Sequence, residues 1–300
     1  MIRVEALSKT FNDVKALDNV NMHVKKGSIY GLVGENGAGK TTLIKHIMGI
    51  YKQDSGEIII DSEGIYENND CKQKIAYISD ELYYFPQYTV QKMANFYKKI
   101  YPNWDDKRYI DILKLFKIDE KRRIGRLSKG MQKQVAFCLA LASMPKVIVL
   151  DEPIDGIDPY MRKKVWNLII EDVAEREATV LISSHNLKEL ENVCDHVGIL
   201  HRGRMIIEKD LDHLKSDVNK IQIAFKDAFP DDIRNKIDIL YEEKMGSVYN
   251  LIVRGDKDRV VNTFYNHNPT PILLDVLPLT LEEIFIYELG GAGYEIESVL

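Results

Sequence analysis

The residues with the clearest chemistry form a glycine-rich segment near the N-terminus. Residues 34–42 match G-x-x-x-x-G-K-[ST], the pattern of a phosphate-binding P-loop. Its glycines allow backbone N–H groups to approach a triphosphate closely. In this motif Lys40 reaches the β- and γ-phosphates, and the Thr41 hydroxyl is a ligand of Mg²⁺. The sequence therefore predicts that a nucleotide is held by Gly34, Glu35, Asn36, Gly37, Ala38, Gly39, Lys40, Thr41 and Thr42.

The segments on either side of this loop fit the same hypothesis. Residues 29–33 have the composition of a short buried strand, and residues 42–48 have one apolar face at helical spacing. A strand, a glycine-rich loop and a helix are the context that the motif requires. This context favours a P-loop over a glycine-rich surface turn.

Two later apolar runs end in polar residues that could serve the same nucleotide. Residues 147–150 precede Asp151 and Glu152, and residues 178–184 precede His185. Runs of this kind indicate buried parallel strands, whose carboxyl ends hold ligands in α/β proteins. Asp151 is placed to hold Mg²⁺ through water and Glu152 to activate an attacking water. Alternatively, Asp151 and Glu152 could serve merely to cap the next helix. His185 could likewise be structural, as a lone histidine usually is.

Two other segments are ambiguous by themselves. Phe11 lies in a predicted polar turn before the P-loop, where it is either a core residue or a platform for an adenine ring, and local sequence favours the core residue. Ser128 is a good N-cap for an apolar helix that continues to residue 144, which could be an ordinary core helix.

Composition limits the class of protein. The chain has 300 residues, 45% of them hydrophobic and 29% charged, with a formal net charge of −5. The longest apolar run, residues 135–142, is far shorter than the roughly 20 residues that cross a bilayer, and we expect no signal peptide. The acidic balance argues against a nucleic-acid partner. Three widely spaced cysteines indicate buried thiols in a reducing cytosol.

Over residues 2–212 these segments, in this order, resemble the nucleotide-binding subunits of ATP-binding cassette (ABC) transporters, in particular bacterial exporter-type ATPases from antibiotic-related operons. Residues 34–42 match the Walker A motif, and residues 147–152 match Walker B with its catalytic glutamate. The segment 127–131 matches the family signature, which separates this family from other P-loop proteins. The remaining matches are Phe11 with the adenine-stacking aromatic residue, residues 156–158 with the D-loop and His185 with the switch histidine.

The resemblance implies a mechanism and partners. Two subunits, identical or different, would enclose two ATP–Mg²⁺ head to tail, and Ser128 and Gly130 would approach the nucleotide bound by the other subunit, near Asp158. Glu152 would activate water while Lys40 and His185 contact the γ-phosphate. The two subunits would drive a separate transmembrane permease. The chain would therefore lie in the cytoplasm, on the inner face of the membrane.

Two positions depart from the family pattern. Asp80 stands where the family has a glutamine that senses Mg²⁺ and faces the membrane subunit. A carboxylate can still coordinate Mg²⁺, but it is shorter and charged, so the coupling geometry is in question. Lys129 and Met131 replace the commoner glycine and glutamine of the signature, while Ser128 and Gly130 are retained.

The predicted fold is α/β: a P-loop NTPase core sheet with a helical subdomain, followed by a small α+β domain. We assign residues 1–214 to the ATPase domain, with the helical subdomain at about 88–145. Residues 215–300 show the order β-α-β-β-α-β, which suggests a ferredoxin-like accessory domain that regulates the ATPase or supports dimerisation.

Two other classes compete with a transporter ATPase. Soluble ABC ATPases that act on DNA carry long coiled-coil inserts, and those that act on ribosomes carry two cassettes in one chain. The sequence contains neither feature. A P-loop nucleotide kinase would lack the signature and the switch histidine and would need an arginine-rich lid.

Overall fold

The protein alternates strands and helices along most of its length. A computed structural model describes residues 1–154, 156–226 and 229–291. In chain order its elements are β1 (Ile2–Phe11), β2 (Val14–Val24), β3 (Ile29–Val33), α1 (Lys40–Ile47), β4 (Ser55–Ile60), β5 (Glu63–Gly64), α2 (Asn69–Lys72), β6 (Ile75–Ile78), α3 (Val90–Ile100), α4 (Asp106–Phe116), α5 (Lys129–Ala142), β7 (Val147–Asp151), α6 (Pro159–Arg176), β8 (Thr179–Ser184), α7 (Leu187–Leu190), β9 (His196–His201), β10 (Arg204–Asp210), α8 (Leu211–Asp217), β11 (Val218–Ala224), α9 (Asp231–Arg234), β12 (Asp238–Met245), β13 (Val248–Arg254), α10 (Lys257–Tyr265), β14 (Leu273–Leu277) and α11 (Leu281–Gly291).

Contacts divide the chain into two compact units. The first unit contains residues 1–186 and 193–208, and the second contains residues 187–192 and those from 209 onward. The division falls within β10, a few residues before the boundary at 214 that the sequence predicted, and that predicted boundary lies inside α8.

Two sheets form the first unit. One is antiparallel with strand order β2-β1-β4-β5, and the other has the order β10-β9-β3-β8-β7-β6. In the second sheet β6, β7, β8, β3 and β9 are joined by parallel pairing. Every residue of β3, β7 and β8 is buried, which explains their uninterrupted apolar runs. One apolar core joins both sheets and α1.

The pairing of these parallel strands brings their carboxyl ends together. Val33 of β3 pairs with Ser184 of β8, and Ser183 of β8 pairs with Asp151 of β7. The P-loop after β3, His185 after β8 and Glu152 after β7 therefore emerge side by side. Asp80 follows β6, the next strand of the same sheet.

The segment that was predicted to be helical contains α3, α4 and α5. A side chain caps each N-terminus: Thr89 accepts from Lys92 N, Asp105 from Arg108 N, and Ser128 from Met131 N. Such caps satisfy N–H groups that the helix itself leaves without partners.

A buried carboxylate connects this helical segment to α6. Asp172 of α6 is 1% exposed and forms ion pairs with Arg108 of α4 and with Arg176 one turn further along α6. Two guanidinium groups compensate the cost of removing one carboxylate from water. The ion pair between Arg108 and Asp172 joins α4 to α6.

The second unit has four antiparallel strands in the order β12-β13-β11-β14. Along the chain these strands alternate with α9 and α10 in the order β-α-β-β-α-β. An apolar core lies between the sheet and the helices, with Phe264 and Ile233 fully buried. The last helix, α11, follows β14.

The three cysteines, Cys71, Cys138 and Cys194, are buried free thiols. Burial raises the pKa of the Cys138 and Cys194 thiols far above their usual range, so both remain protonated at neutral pH. Protonated, buried thiols react slowly, as expected for residues that serve only in packing.

Among the residues described above, no helix combines the length and the apolar composition that a bilayer span requires.

Candidate functional site

The backbone of residues 34–39 has the shape that its glycines predict. Gly37 and Gly39 have φ angles of 86° and 107°, which side chains other than glycine rarely adopt. A Cβ atom at Gly34 would lie 2.3 Å from the Leu200 carbonyl oxygen. The loop therefore requires glycine for its turn at one end and for close packing at the other.

Lys40 begins α1 and lies beneath this loop. Its side chain is 7% exposed, and Nζ donates to the carbonyl oxygens of Gly34 at 2.6 Å and Glu35 at 3.2 Å. These bonds hold the ammonium group on the inner side of the loop. A phosphate bound by the loop amides would meet this charge directly.

Glu152 lies between two basic side chains. Its Oε1 is 3.6 Å from Lys40 Nζ and its Oε2 is 3.0 Å from His185 Nδ1. Its φ is 46°, a conformation that costs about 1–3 kcal/mol for a residue other than glycine. The surrounding bonds maintain it: Glu152 N donates to Ser183 O at 3.2 Å and to Ser183 Oγ at 3.3 Å.

Asp151, the last residue of β7, is almost fully buried. Its Oδ1 accepts a 2.5 Å hydrogen bond from Ser183 Oγ. Magnesium prefers oxygen ligands and usually takes only one or two carboxylates together with phosphates and waters. Thr41, Asp151 and Asp80 supply oxygen donors of this type. Within the described ranges no group of three or more histidine, cysteine or acidic side chains forms a metal cage.

A cavity of about 480 Å³ surrounds these groups. It brings together the P-loop, Asp80 and Glu152, which are distant in sequence. It is lined by Val14, Lys15, Ala16, Glu35, Asn36, Gly37, Gly39, Lys40, Thr41, Thr42, Asp80, Glu152, Arg202 and Gly203.

Eight predicted site residues are not among those that line this cavity in the described part of the chain. Gly34, Ala38 and Asp151 adjoin residues that do line it, and His185 contacts Glu152. The other four are Phe11, Asp158, Ser128 and Gly130. Phe11 ends β1, and is not in the turn as predicted; its ring is 39% exposed and meets Tyr51 edge-on at 5.4 Å. Asp158 caps α6, where its Oδ1 accepts from Met161 N at 3.1 Å.

The other two residues belong to the signature segment. Ser128 caps α5, and Gly130 packs so closely that a Cβ atom there would lie 2.7 Å from the Gly156 carbonyl oxygen. Each of these two residues therefore has a structural role within its own chain.

Sequence reasoning missed several contributors to the site. Lys15 of β2 and Arg202, in the turn between β9 and β10, line the cavity. The Ser183 hydroxyl donates to the Asp151 carboxylate and accepts from the backbone N–H of Glu152. Lys133 donates to the Glu152 carbonyl oxygen at 2.9 Å. The position of this lysine at the start of an apolar helix could have indicated such a contact, because a buried charge requires a partner.

A glycine-rich loop between a buried parallel strand and a helix, with a lysine beneath it and two acids at the end of another strand of the same sheet, defines a P-loop nucleoside triphosphatase. The fold class predicted from the sequence, an α/β P-loop NTPase, is confirmed by similarity to a solved structure. That structure is described as an ATP-binding subunit of an ABC transporter. It matches with a TM-score of 0.68 and 27% identity over 72% of this chain and 92% of its own.

Sequence comparisons identify the family. The model described as "ABC transporter" matches residues 17–155. The chain is 34% identical to the ABC transporter ATP-binding protein YtrB of Bacillus subtilis (strain 168), over 97% of this chain and 99% of that protein. It is 31% identical to the bacitracin transport ATP-binding protein BcrA of Bacillus licheniformis, over 97% of this chain and 98% of that protein. The chain belongs to the ABC transporter family and is an ABC ATPase.

The position of Lys40 leads to a direct prediction. Lys40→Ala removes the buried charge from the loop and should raise the Kd for ATP by about tenfold to a hundredfold, the usual effect of losing a bond to a charged group. Equilibrium binding of a fluorescent ATP analogue measures this change. Lys99→Ala, an exposed lysine of α3, is the matched control and should bind as the wild type does. Wild-type affinity in a folded Lys40→Ala protein would contradict the phosphate assignment.

Proposed function

We propose that this chain is the motor subunit of an ABC exporter: two copies, or one copy and a related subunit, close head to tail around two ATP–Mg²⁺ and drive a separate transmembrane permease. The observation that carries this proposal is the convergence of Lys40, Glu152 and His185 at one sheet edge. Lys40 and His185 both contact the carboxylate of Glu152 there.

The hydrolytic step follows from this arrangement. The loop amides and Lys40 bind the β- and γ-phosphates and offset the negative charge that develops on them. Glu152 accepts a proton from the attacking water, and the γ-phosphate leaves ADP as inorganic phosphate. His185 orients Glu152 through its 3.0 Å contact, and we infer that it also meets the γ-phosphate.

Oxygen donors support the proposed magnesium site. Thr41 and Asp80 lie on the cavity wall, and Asp151 lies buried beside it. Mg²⁺ held there would supply positive charge that offsets the negative charge of the phosphates. Thr41 and Asp80 would face the ion directly, whereas Asp151 would act through water.

The position of the signature segment supports the head-to-tail dimer. The N-terminus of α5 carries exposed residues, Ser128 and Lys129, and this end of a helix attracts anions. Ser128 and Gly130 lie outside the cavity of their own chain, as described above. We infer that they meet the γ-phosphate held by the other subunit, near its D-loop residue Asp158, and that the exposed ring of Phe11 stacks on the adenine.

The similarity to BcrA, a protein described as acting in bacitracin transport, supports a role in transport, and we infer that the direction is export. A permease partner would hold the chain on the cytoplasmic face of the membrane. No nucleic acid takes part in this proposal.

We further infer which part of the chain forms each domain and what each domain does. Residues 1–214 form the ATPase domain, with the helical subdomain at about 88–145, and residues 215–300 form a ferredoxin-like accessory domain that supports dimerisation or regulates turnover. A chain truncated after residue 214 should lose ATP-dependent dimerisation or change its turnover rate, measured by gel filtration and phosphate release. Truncation without effect on either property would contradict the role assigned to this domain.

Replacing the proposed base provides the sharpest test of the chemistry. Glu152→Gln should bind ATP, form a stable ATP-bound dimer and hydrolyse at least about a hundredfold more slowly, because the amide cannot accept the proton of water. Phosphate release and gel filtration with ATP measure the two effects. Glu175→Gln, an exposed position on α6, is the matched control. Unchanged turnover in Glu152→Gln would refute the assignment of the base.

Mixing two inactive variants in the same assay tests the head-to-tail geometry. In a mixed dimer of Glu152→Gln and Ser128→Arg, one site combines an intact Glu152 from one chain with an intact Ser128 from the other. Turnover should therefore appear on mixing although each variant alone is inactive. A mixture that stays inactive while its subunits exchange would exclude composite sites.

The membrane partner can be identified by capture. Tagged Glu152→Gln with ATP, incubated with detergent-solubilised membranes of the source cells, should retain a polytopic membrane protein, since the closed dimer is the state that persists. Lys40→Ala with ATP is the matched control and should retain less. Recovery of ribosomes or DNA-bound proteins alone would favour a soluble ABC ATPase.

A further inference from the structure

Lys133 is a buried ammonium group that none of the motifs above explains. It lies at the start of the apolar part of α5, and its side chain is 9% exposed. The hydrocarbon stem of a lysine is readily buried, but its charge is costly to bury without partners. The groups around Lys133 Nζ therefore indicate its role.

Two functional residues meet at this ammonium group. Nζ donates to the backbone carbonyl of Glu152 at 2.9 Å and lies 3.7 Å from Asp80 Oδ1. The first distance is a hydrogen bond, whereas the second is an ion pair without direct hydrogen-bond contact. One side chain on α5 thus connects the loop after β6 with the residue after β7.

The bond to Glu152 acts on a strained backbone. Glu152 has a positive φ, and Ser183 already holds its amide N–H. Lys133 holds the carbonyl oxygen of the same residue, so both polar backbone groups of Glu152 are held by other residues. Because the carboxylate is only two methylene groups from this backbone, its position between Lys40 and His185 depends on these bonds.

The ion pair acts on the charge of the cavity. Asp80 lines the same cavity as the P-loop, so its carboxylate adds negative charge beside the site of a triphosphate. The Lys133 ammonium lies next to Asp80, and its positive charge offsets this repulsion.

We propose that Lys133 is a positioning residue for ATP hydrolysis, which holds the backbone of Glu152 and neutralises Asp80 beside the nucleotide. This inference rests on the proposed function, since it takes Glu152 as the base and the cavity as the ATP site. Its two parts affect different quantities. Positioning of Glu152 controls kcat, whereas neutralisation of Asp80 controls ATP affinity.

The test is a double-mutant cycle in the full-length protein. The variants are Lys133→Met, Asp80→Asn and the two combined, with Lys133→Arg as the conservative replacement. Lys114→Met is the matched control, because this lysine of α4 is 74% exposed and its replacement removes the same charge. Each variant is assayed for thermal unfolding, for equilibrium binding of a fluorescent ATP analogue and for kcat.

Lys133→Met should weaken ATP binding by about threefold to tenfold, since one partly solvated charge is left without its partner. It should also lower kcat by about tenfold to a hundredfold through displacement of Glu152. With binding measured in EDTA, where no Mg²⁺ requires Asp80 as a ligand, adding Asp80→Asn should restore affinity to within about twofold of wild type. The kcat of the double variant, measured with Mg²⁺, should stay low, a non-additivity expected of residues in contact. Lys133→Arg should retain affinity, because it keeps the positive charge.

A folded Lys133→Met protein with wild-type affinity and kcat would overturn the inference, as would a double variant whose affinity is no better than that of Lys133→Met. If Lys133→Met does not fold, Lys133→Gln replaces it in the same cycle, with the same rescue of affinity expected. The binding measurements need no hydrolysis. Wild-type turnover no faster than that of Glu152→Gln would therefore refute the proposed base while the charge pairing is still measured.

Discussion

The carboxylate of Glu152, held between Lys40 and His185, is the contact on which the site depends. The three residues follow three neighbouring parallel strands, and the contact exists only because the pairing of β3, β8 and β7 brings the strand ends level. A parallel sheet buried on both faces keeps this register, since a shift of one residue would move every side chain to the opposite face. The apolar residues of these strands therefore determine the position of the catalytic groups.

Much of this arrangement could be predicted from the sequence, because its strongest signals are local. Continuous apolar runs give buried strands, and the glycine spacing gives a loop that only glycine can form at positive φ. Residues 29–33, 147–150 and 178–184 accordingly correspond to β3, β7 and β8. The order β-α-β-β-α-β of the second unit is visible in the same way, as alternating runs between turns.

The features that could not be predicted depend on tertiary neighbours. Nothing in the sequence specifies that β8 lies between β3 and β7, or that the turn at Arg202 reaches the cavity. The long helix α6 was not predicted, although Asp158 followed by Pro159 is a typical helix start. Phe11 was placed in a turn because its neighbours are polar, whereas it continues a strand that pairs with β2.

The structure also bears on the replacement of a glutamine by Asp80. A carboxylate beside a triphosphate adds a negative charge that an amide would not, and a nearby positive charge offsets it. Lys133 Nζ supplies such a charge 3.7 Å from Asp80 Oδ1, and it also donates a hydrogen bond to the Glu152 carbonyl oxygen. A movement of the Asp80 loop would therefore change the environment of the ammonium group that holds the base. Where a permease contacts this loop, the same lysine would carry the effect to the site of hydrolysis through contacts only one side chain long.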